Sequence, residues 1–358
     1  MFHVLGQYLC RRFALAQSSS AEAQIHVDSG TFISGYRNRP TCKVGGRAYS
    51  SCMAWVDMSE SLALIALLKS DRRVWSSIRA LIEEEAPSVL LRQEIRPTLL
   101  DDEFANAISD AARDLEMWTR QGITVTTPYS DGYPSQLRAV HDYPPILFAR
   151  GKFLPTDRSS VAVVGTRQPS RGALDFVRTL VPLLVADGRT IVSGLAKGVD
   201  TAAMAASLEA GNRTIGIIGT GLNRYYPREN QALQEAVARE HLLLSQFWPD
   251  APPTKQSFPM RNHVMSAFSG LTLIVEASEN SGTRIQARAA TKHGRPLVIT
   301  RAVYMATNWA KELVRKKLDV TVVSSASEAA AAVRSIIARQ DTESAWIEGP
   351  LSLAQKLA

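Results

Sequence analysis

From Ser160 onward the chain alternates short apolar runs with segments of helical period, and this alternation limits the available folds more than any other feature. The runs are VAVVG (161–165), TIVSG (190–194), TIGIIG (214–219), LLLSQ (242–246), LTLIVEA (271–277), PLVIT (296–300) and VTVV (320–323). Each is apolar on both faces and needs cover above and below, which is the signature of a parallel sheet flanked by helices. Helices are expected at roughly 172–187, 201–210, 228–239, 260–269, 284–293, 306–317 and 327–339. The expected fold class is α/β, a doubly wound, mostly parallel Rossmann-like sheet. Pro182 falls inside the first of these helices and predicts a kink or an early stop there.

Upstream the pattern is helical. SESLALIALL sets Leu62, Ile65 and Leu68 on one face, and VWSSIRALIEEEA repeats that spacing with Val74, Ile78, Leu81 and Ile82. DEFANAISDAARDLEMWTRQG ends at Gly122, a residue suited to closing a helix. A small α-helical domain is therefore expected over 59–121, followed by 122–340 as the sheet domain with a lead-in of short extended pieces, ITVTTP and ILFARG. Residues 341–358 read as a tail too short for a further domain.

The formal charge of +7 points towards nucleic acid, but residues 1–52 carry +4 of it through Arg11, Arg12, Arg37, Arg39, Lys43 and Arg47 against Glu22 and Asp28. All three cysteines, Cys10, Cys42 and Cys52, lie in the same stretch. A body without cysteine fits a reducing compartment, and a cytoplasmic protein is expected. Residues 1–58 read as an extension that is either disordered or the product of a mis-assigned start, translation then beginning at Met53 or Met58. No run reaches the ~18–20 apolar residues of a membrane helix.

In an open parallel sheet, ligands sit at the carboxyl ends of the strands near the switch point. The first strand ends Gly165-Thr166-Arg167, where glycine, the following amides and a guanidinium suit a phosphate oxygen, or where a tight turn merely leaves the Arg in water. The second ends Ser193-Gly194, followed by Lys197-Gly198 and Asp200 at a helix start. That is an anion cradle, unless Asp200 caps the helix and fills it. The third ends Gly219-Thr220-Gly221 ahead of Tyr225-Tyr226-Pro227, which either contact a ligand or serve turn geometry and packing. After the fourth, a Pro-rich loop leads to Arg261, Asn262 and His263 at the start of a helix, suited to phosphate or base contacts or to capping. Glu276 either takes a ribose hydroxyl or an amine, or pairs with Arg284 or Arg288.

Sharper chemistries are absent. The chain has no G-x-x-x-x-G-K-[ST], H-E-x-x-H, C-x-x-C or G-x-S-x-G, its first turn lacks G-x-G-x-x-G, and its six histidines are scattered. Neither a cofactor nor a metal is expected, and an anion-binding sheet edge without a nucleophile favours a binding protein over an enzyme.

In order and spacing, VAVVGTR, SGLAKGVDTAA, GTGLNRYYPREN, SFPMRN and LIVEASENSGT resemble the DNA-processing protein family DprA, also called Smf. The likeness covers about 59–300, including LEMWTRQGITVTTPYSDGYPSQLRAVHDYPPILFARG. It implies a homodimer that binds single-stranded DNA in a basic pocket and loads the recombinase RecA during natural transformation. By motif, Gly165, Thr166 and Arg167 would form the phosphate turn, with Arg167 the principal contact. Ser193, Gly194, Lys197 and Gly198 would line the pocket, with Gly219 and Gly221 beside them, and Arg261 and Asn262 would complete it. The chain departs from the family pattern at His263, where a second Arg is usual, at SGTRIQARAA, and at Thr300-Arg301, where a Pro-Gly turn is usual; the family's winged-helix addition is not expected. The alternative is an enzyme or sensor for a free nucleotide, like the phosphoribohydrolases of the lysine-decarboxylase-like group, whose PGGxGT signature the chain lacks.

Overall fold

A computed structural model of the chain describes residues 42–44, 47–49, 51–70, 75–95 and 102–356. The chain divides into two compact units, Met1–Ser59 and Glu60–Ala358. In the first, β1 (Cys42–Val44) pairs antiparallel with β2 (Arg47–Tyr49). The expected extension over 1–58 otherwise lies mostly outside the described residues. The helix expected from Ser59 begins at Ser51 and runs to Ser70.

The second unit is built on nine strands: β3 (Thr124–Thr126), β4 (Leu147–Gly151), β5 (Val161–Val164), β6 (Ile191–Ser193), β7 (Thr214–Ile217), β8 (Leu242–Ser245), β9 (Leu271–Ile274), β10 (Leu297–Thr300) and β11 (Val320–Val323). Their spatial order is β11-β10-β9-β5-β6-β7-β8-β4-β3. From β11 to β8 every pairing is parallel, and the order reverses between β5 and β9. The chain is thus doubly wound as its apolar runs predict: all residues of β5 to β10 are buried, with helices on both faces. Each such aliphatic side chain contributes about 1.5–3 kcal/mol by leaving water. The two lead-in pieces become strands as well. β4 pairs antiparallel with β8, and β3 antiparallel with β4, extending the sheet past its parallel part.

Helices follow the expected segments with small shifts, at Arg171–Ala186, Val199–Glu209, Gln231–Glu240, Ser257–Phe268 and Thr283–Lys292. The early stop at Pro182 does not occur, and the helix continues to Ala186. The single helix expected over 306–317 is two, Arg301–Ala306 and Asn308–Arg315. Thr300 supplies the first one's cap, its hydroxyl accepting from the Val303 amide at 3.3 Å. The last helix spans Ala326–Lys356, so most of the expected tail is helical.

The upstream helices pack against the sheet rather than forming a core of their own. Leu62 to Leu68 are buried on every side of their helix, where an amphipathic pattern predicts one buried face. Trp118 stacks on Trp248 (centroids 5.7 Å) and meets Phe148 of β4 edge-on (5.2 Å), and Trp75 meets Trp248 at 5.7 Å. The helix Asp102–Arg120 closes as its sequence predicts: Gly122 has φ of +71°, the Gly122 amide donates to Thr119 and the Ile123 amide to Trp118. No described helix is long and apolar enough to cross a membrane.

Candidate functional site

The carboxyl ends of β5, β6 and β7 and the helix Ser257–Phe268 frame a shallow, open depression. Arg167, Gly194, Ala196, Lys197, Gly219, Tyr226, Pro227, Phe258 and Arg261 line it. It lies over β5 to β7, one strand along from the β5/β9 switch point where the sheet topology alone would place it.

The glycine turns make room for the protein's own atoms. A Cβ on Gly194 would overlap the guanidinium of Arg261, and one on Gly219 would stand 2.8 Å from the Phe258 ring. One on Gly165 would meet Val199 at 2.6 Å, and one on Gly221 would collide with the carbonyls of Trp248 and Pro249. Gly198 is demanded twice over, by φ of +83° and by the close Thr166 carbonyl.

The turn amides are committed too. Thr166 donates to the Glu276 carbonyl at 2.8 Å, Gln168 to the Thr166 hydroxyl at 3.2 Å, and Ser170 to the Glu276 carboxylate at 2.8 Å. Glu276 therefore ties the first turn in place, and no ion pair joins it to Arg284 or Arg288. It is Glu279 that lies near Arg284, at 3.9 Å. In the second turn Asp200 does not cap the helix, whose N-cap is Gly198; 4% exposed, it instead takes up the amide of Gly194, ahead of the helix, at 3.1 Å. The Ser193 hydroxyl is buried and donates to the Val163 carbonyl of β5 at 2.7 Å, so it does not line the depression.

Arg261 departs most from its sequence reading. The helix begins at Ser257, which puts Arg261 in its second turn and not at its start. The residue is only 5% exposed, and its Nη1 donates to the Gly194 carbonyl and, at 2.8 Å, to the Ile217 carbonyl. The guanidinium thus joins the ends of β6 and β7 from beneath. Burial lowers its pKa, while Asp200 raises it. Burial likewise raises the Asp200 carboxyl, with Arg261 opposing that shift. Asn262 points to the Gly282 carbonyl at 3.4 Å and is not among the lining residues.

What faces solvent is two cations and an aromatic wall. Arg167 is exposed, its guanidinium 5.7 Å from the Phe258 ring centroid. Tyr226, 43% exposed, packs on Phe258 with centroids 5.2 Å apart. Lys197 is exposed but paired, its Nζ 2.6 Å from Glu229. Arg150 of β4 fixes the loop that carries Tyr226, donating to the Leu222 carbonyl at 3.2 Å and to Asn223 at 2.7 Å. Sequence reasoning passed over Phe258, although its spacing of three from Arg261 on a helix places both on one face.

Such a surface can attract a polyanion through Arg167 and Lys197 and stack a flat ring on Tyr226. It holds no pair of groups arranged as nucleophile and base. Residues 124–333 match the family described as DNA recombination-mediator protein A. Over 205 residues the chain is 37% identical to the DNA processing protein DprA of Bacillus subtilis, covering 57% of this chain and 69% of that one. With the Streptococcus pneumoniae DprA it shares 39% over 165 residues, 46% of this chain and 58% of the relative. With the Escherichia coli protein Smf it shares 38% over 167 residues, 46% and 45% of the two chains. The matches thus span about half to two thirds of these relatives. Two solved structures are similar: DprA of Streptococcus pneumoniae (TM-score 0.56, 26% identity, 78% of this chain and 96% of that one) and DprA of Helicobacter pylori (0.52, 28%, 60% and 96%). The latter is described with a unique single-stranded DNA binding mode.

Proposed function

The chain belongs to the DNA recombination-mediator protein A family, and from that premise we propose that it binds single-stranded DNA without sequence preference across the depression at β5 to β7. The observation that carries this reading is the exposed Arg167 guanidinium beside the Tyr226–Phe258 wall, over a floor in which Asp200 holds the Gly194 amide and Arg261 Nη1 the Gly194 and Ile217 carbonyls. Arg167 and Lys197 meet backbone phosphates, and Tyr226 offers a base its ring, an arrangement that tracks a strand and reads little sequence. The glycines and Ser193, Arg261 and Asn262 act beneath or beside the surface, shaping it.

On this reading the protein is a cytoplasmic, non-enzymatic recombination mediator that works as a homodimer and hands DNA to RecA. The DprA of Helicobacter pylori, described as binding single-stranded DNA, supports the ligand class. Fluorescence anisotropy with a dT oligonucleotide tests it. Affinity should fall steeply with salt, and Arg167→Ala should weaken binding and lower the log–log salt slope by about 0.7, the share of one phosphate contact on a single strand. Absent binding, or binding independent of salt, rejects the reading. A thermal shift with mononucleotides but not with oligonucleotides would favour the free-nucleotide alternative.

A further inference from the structure

Away from the depression, three stretches distant in sequence bring two imidazoles onto one carboxylate. Asp142 lies in the segment before β4, His263 on the helix Ser257–Phe268, and His293 at the end of the helix Thr283–Lys292. His263 Nδ1 and His293 Nε2 each stand 2.6 Å from a different oxygen of Asp142. One potential ligand atom from each of the three residues lies within 4.8 Å of the others. A third imidazole is close: His141 Nε2 is 4.0 Å from Asp142, and its ring centroid is 6.0 Å from that of His293. The His293 side chain is fully buried, and its Nδ1 is 3.0 Å from the Ser266 hydroxyl, which sets the ring with Nε2 towards Asp142.

We propose that Asp142, His263 and His293, completed by His141, form a binding site for a transition-metal cation of the Zn²⁺ type. Imidazole nitrogens bind zinc at ~2.0–2.1 Å and carboxylate oxygens at ~2.0–2.2 Å, so the ligands of a tetrahedral ion stand a little over 3 Å apart, well inside the spread found here. A histidine-rich set with one carboxylate excludes Mg²⁺ and Ca²⁺, which take oxygen ligands, and suits zinc. The Ser266 contact is the outer hydrogen bond that a metal-bound imidazole needs. Without metal, each facing nitrogen carries a proton directed at Asp142. On binding, that proton leaves or moves to the ring's other nitrogen, which on His293 then donates to Ser266. The ion would pin the lead-in segment to two helices that flank the sheet, a role separate from DNA binding.

The test uses the full chain stripped with chelator, in a Cys10→Ser, Cys42→Ser, Cys52→Ser background so that thiolates bind nothing. Calorimetric titration with ZnCl₂ should show one equivalent bound at micromolar Kd or tighter. Co²⁺ should give the visible bands of tetrahedral nitrogen–oxygen coordination, and a hundredfold excess over Kd should raise Tm by about 5 °C. Asp142→Asn and His263→Gln should each weaken uptake at least tenfold. If Asp142→Asn fails to fold, His263→Gln decides, since that side chain is partly exposed. No saturable uptake, or uptake equal in His263→Gln and the parent, overturns the proposal and leaves a hydrogen-bonded His–Asp–His bridge.

Discussion

Arg261→Met tests the distinction between the floor of the depression and its surface. Methionine nearly fills the volume but removes the cation, leaving the Gly194 and Ile217 carbonyls without their donor and Asp200 buried without its charge partner. Removing one member of a buried charge pair costs about 3–5 kcal/mol, and losing two hydrogen bonds from a charged donor at about 1.5–3 kcal/mol each gives the same range. At roughly 2–4 °C per kcal/mol for a domain near this size, Tm should fall by about 10 °C. The loss should depend on pH with a definite sign. Burial raises the folded-state pKa of Asp200 and Arg261 holds it down, so the variant raises it further. A carboxyl whose folded pKa exceeds its unfolded one stabilises the fold in acid and loses that contribution as pH rises through the folded value. The deficit of Arg261→Met should therefore be smaller at pH 5 than at pH 8, and Asp200→Asn in the same background should recover part of it at pH 8. The assay is urea unfolding by circular dichroism at both pH values, beside anisotropy with dT oligonucleotide below the unfolding transition. Arg261→Met should be unstable yet bind DNA within about tenfold of the parent, and Arg167→Ala the reverse. A variant within about 1 kcal/mol of the parent, or a deficit that grows on acidification, would refute the reasoning.

Three further outcomes follow from the same geometry. Glu229→Gln removes the carboxylate that pairs with Lys197, so dT affinity should rise several-fold at low salt, less at high salt, with Tm unchanged, since both side chains are about half exposed. Tyr226→Ala should lower dT affinity by about 1–3 kcal/mol, the worth of one stacked base, while Tyr226→Phe should bind like the parent. Gly198→Ala places a methyl at φ of +83° against the Thr166 carbonyl and should destabilise the fold by more than ~1 kcal/mol, read in urea unfolding.

The parallel strands were legible because residues such as Val161–Val164 are apolar without alternation, which only cover on both faces explains. β3 and β4 were not, since Thr124–Thr126 is three residues of mixed pattern and acquires strand character only by pairing with Leu147–Ala149. The location of a surface at strand ends was legible, whereas the work done by its glycines was not. A glycine reads the same in sequence whether a ligand or the chain's own side chain comes close, and for Gly194 the approaching group is Arg261, 67 residues away. The ion pair of Lys197 with Glu229 and the convergence of Asp142, His263 and His293 are likewise products of the winding, with no local spacing to announce them.

β4 precedes the parallel strands in sequence yet lies beyond the last of them on that side, Phe148 opposite Ser245. During synthesis it must therefore wait for almost a hundred residues before its partner leaves the ribosome. Until then the flank of Leu147–Ala149 that β3 does not cover, fully buried in the finished fold, stays open. Closure is non-local and comes late, which lengthens the interval in which a nascent chain is open to pairing with a neighbour.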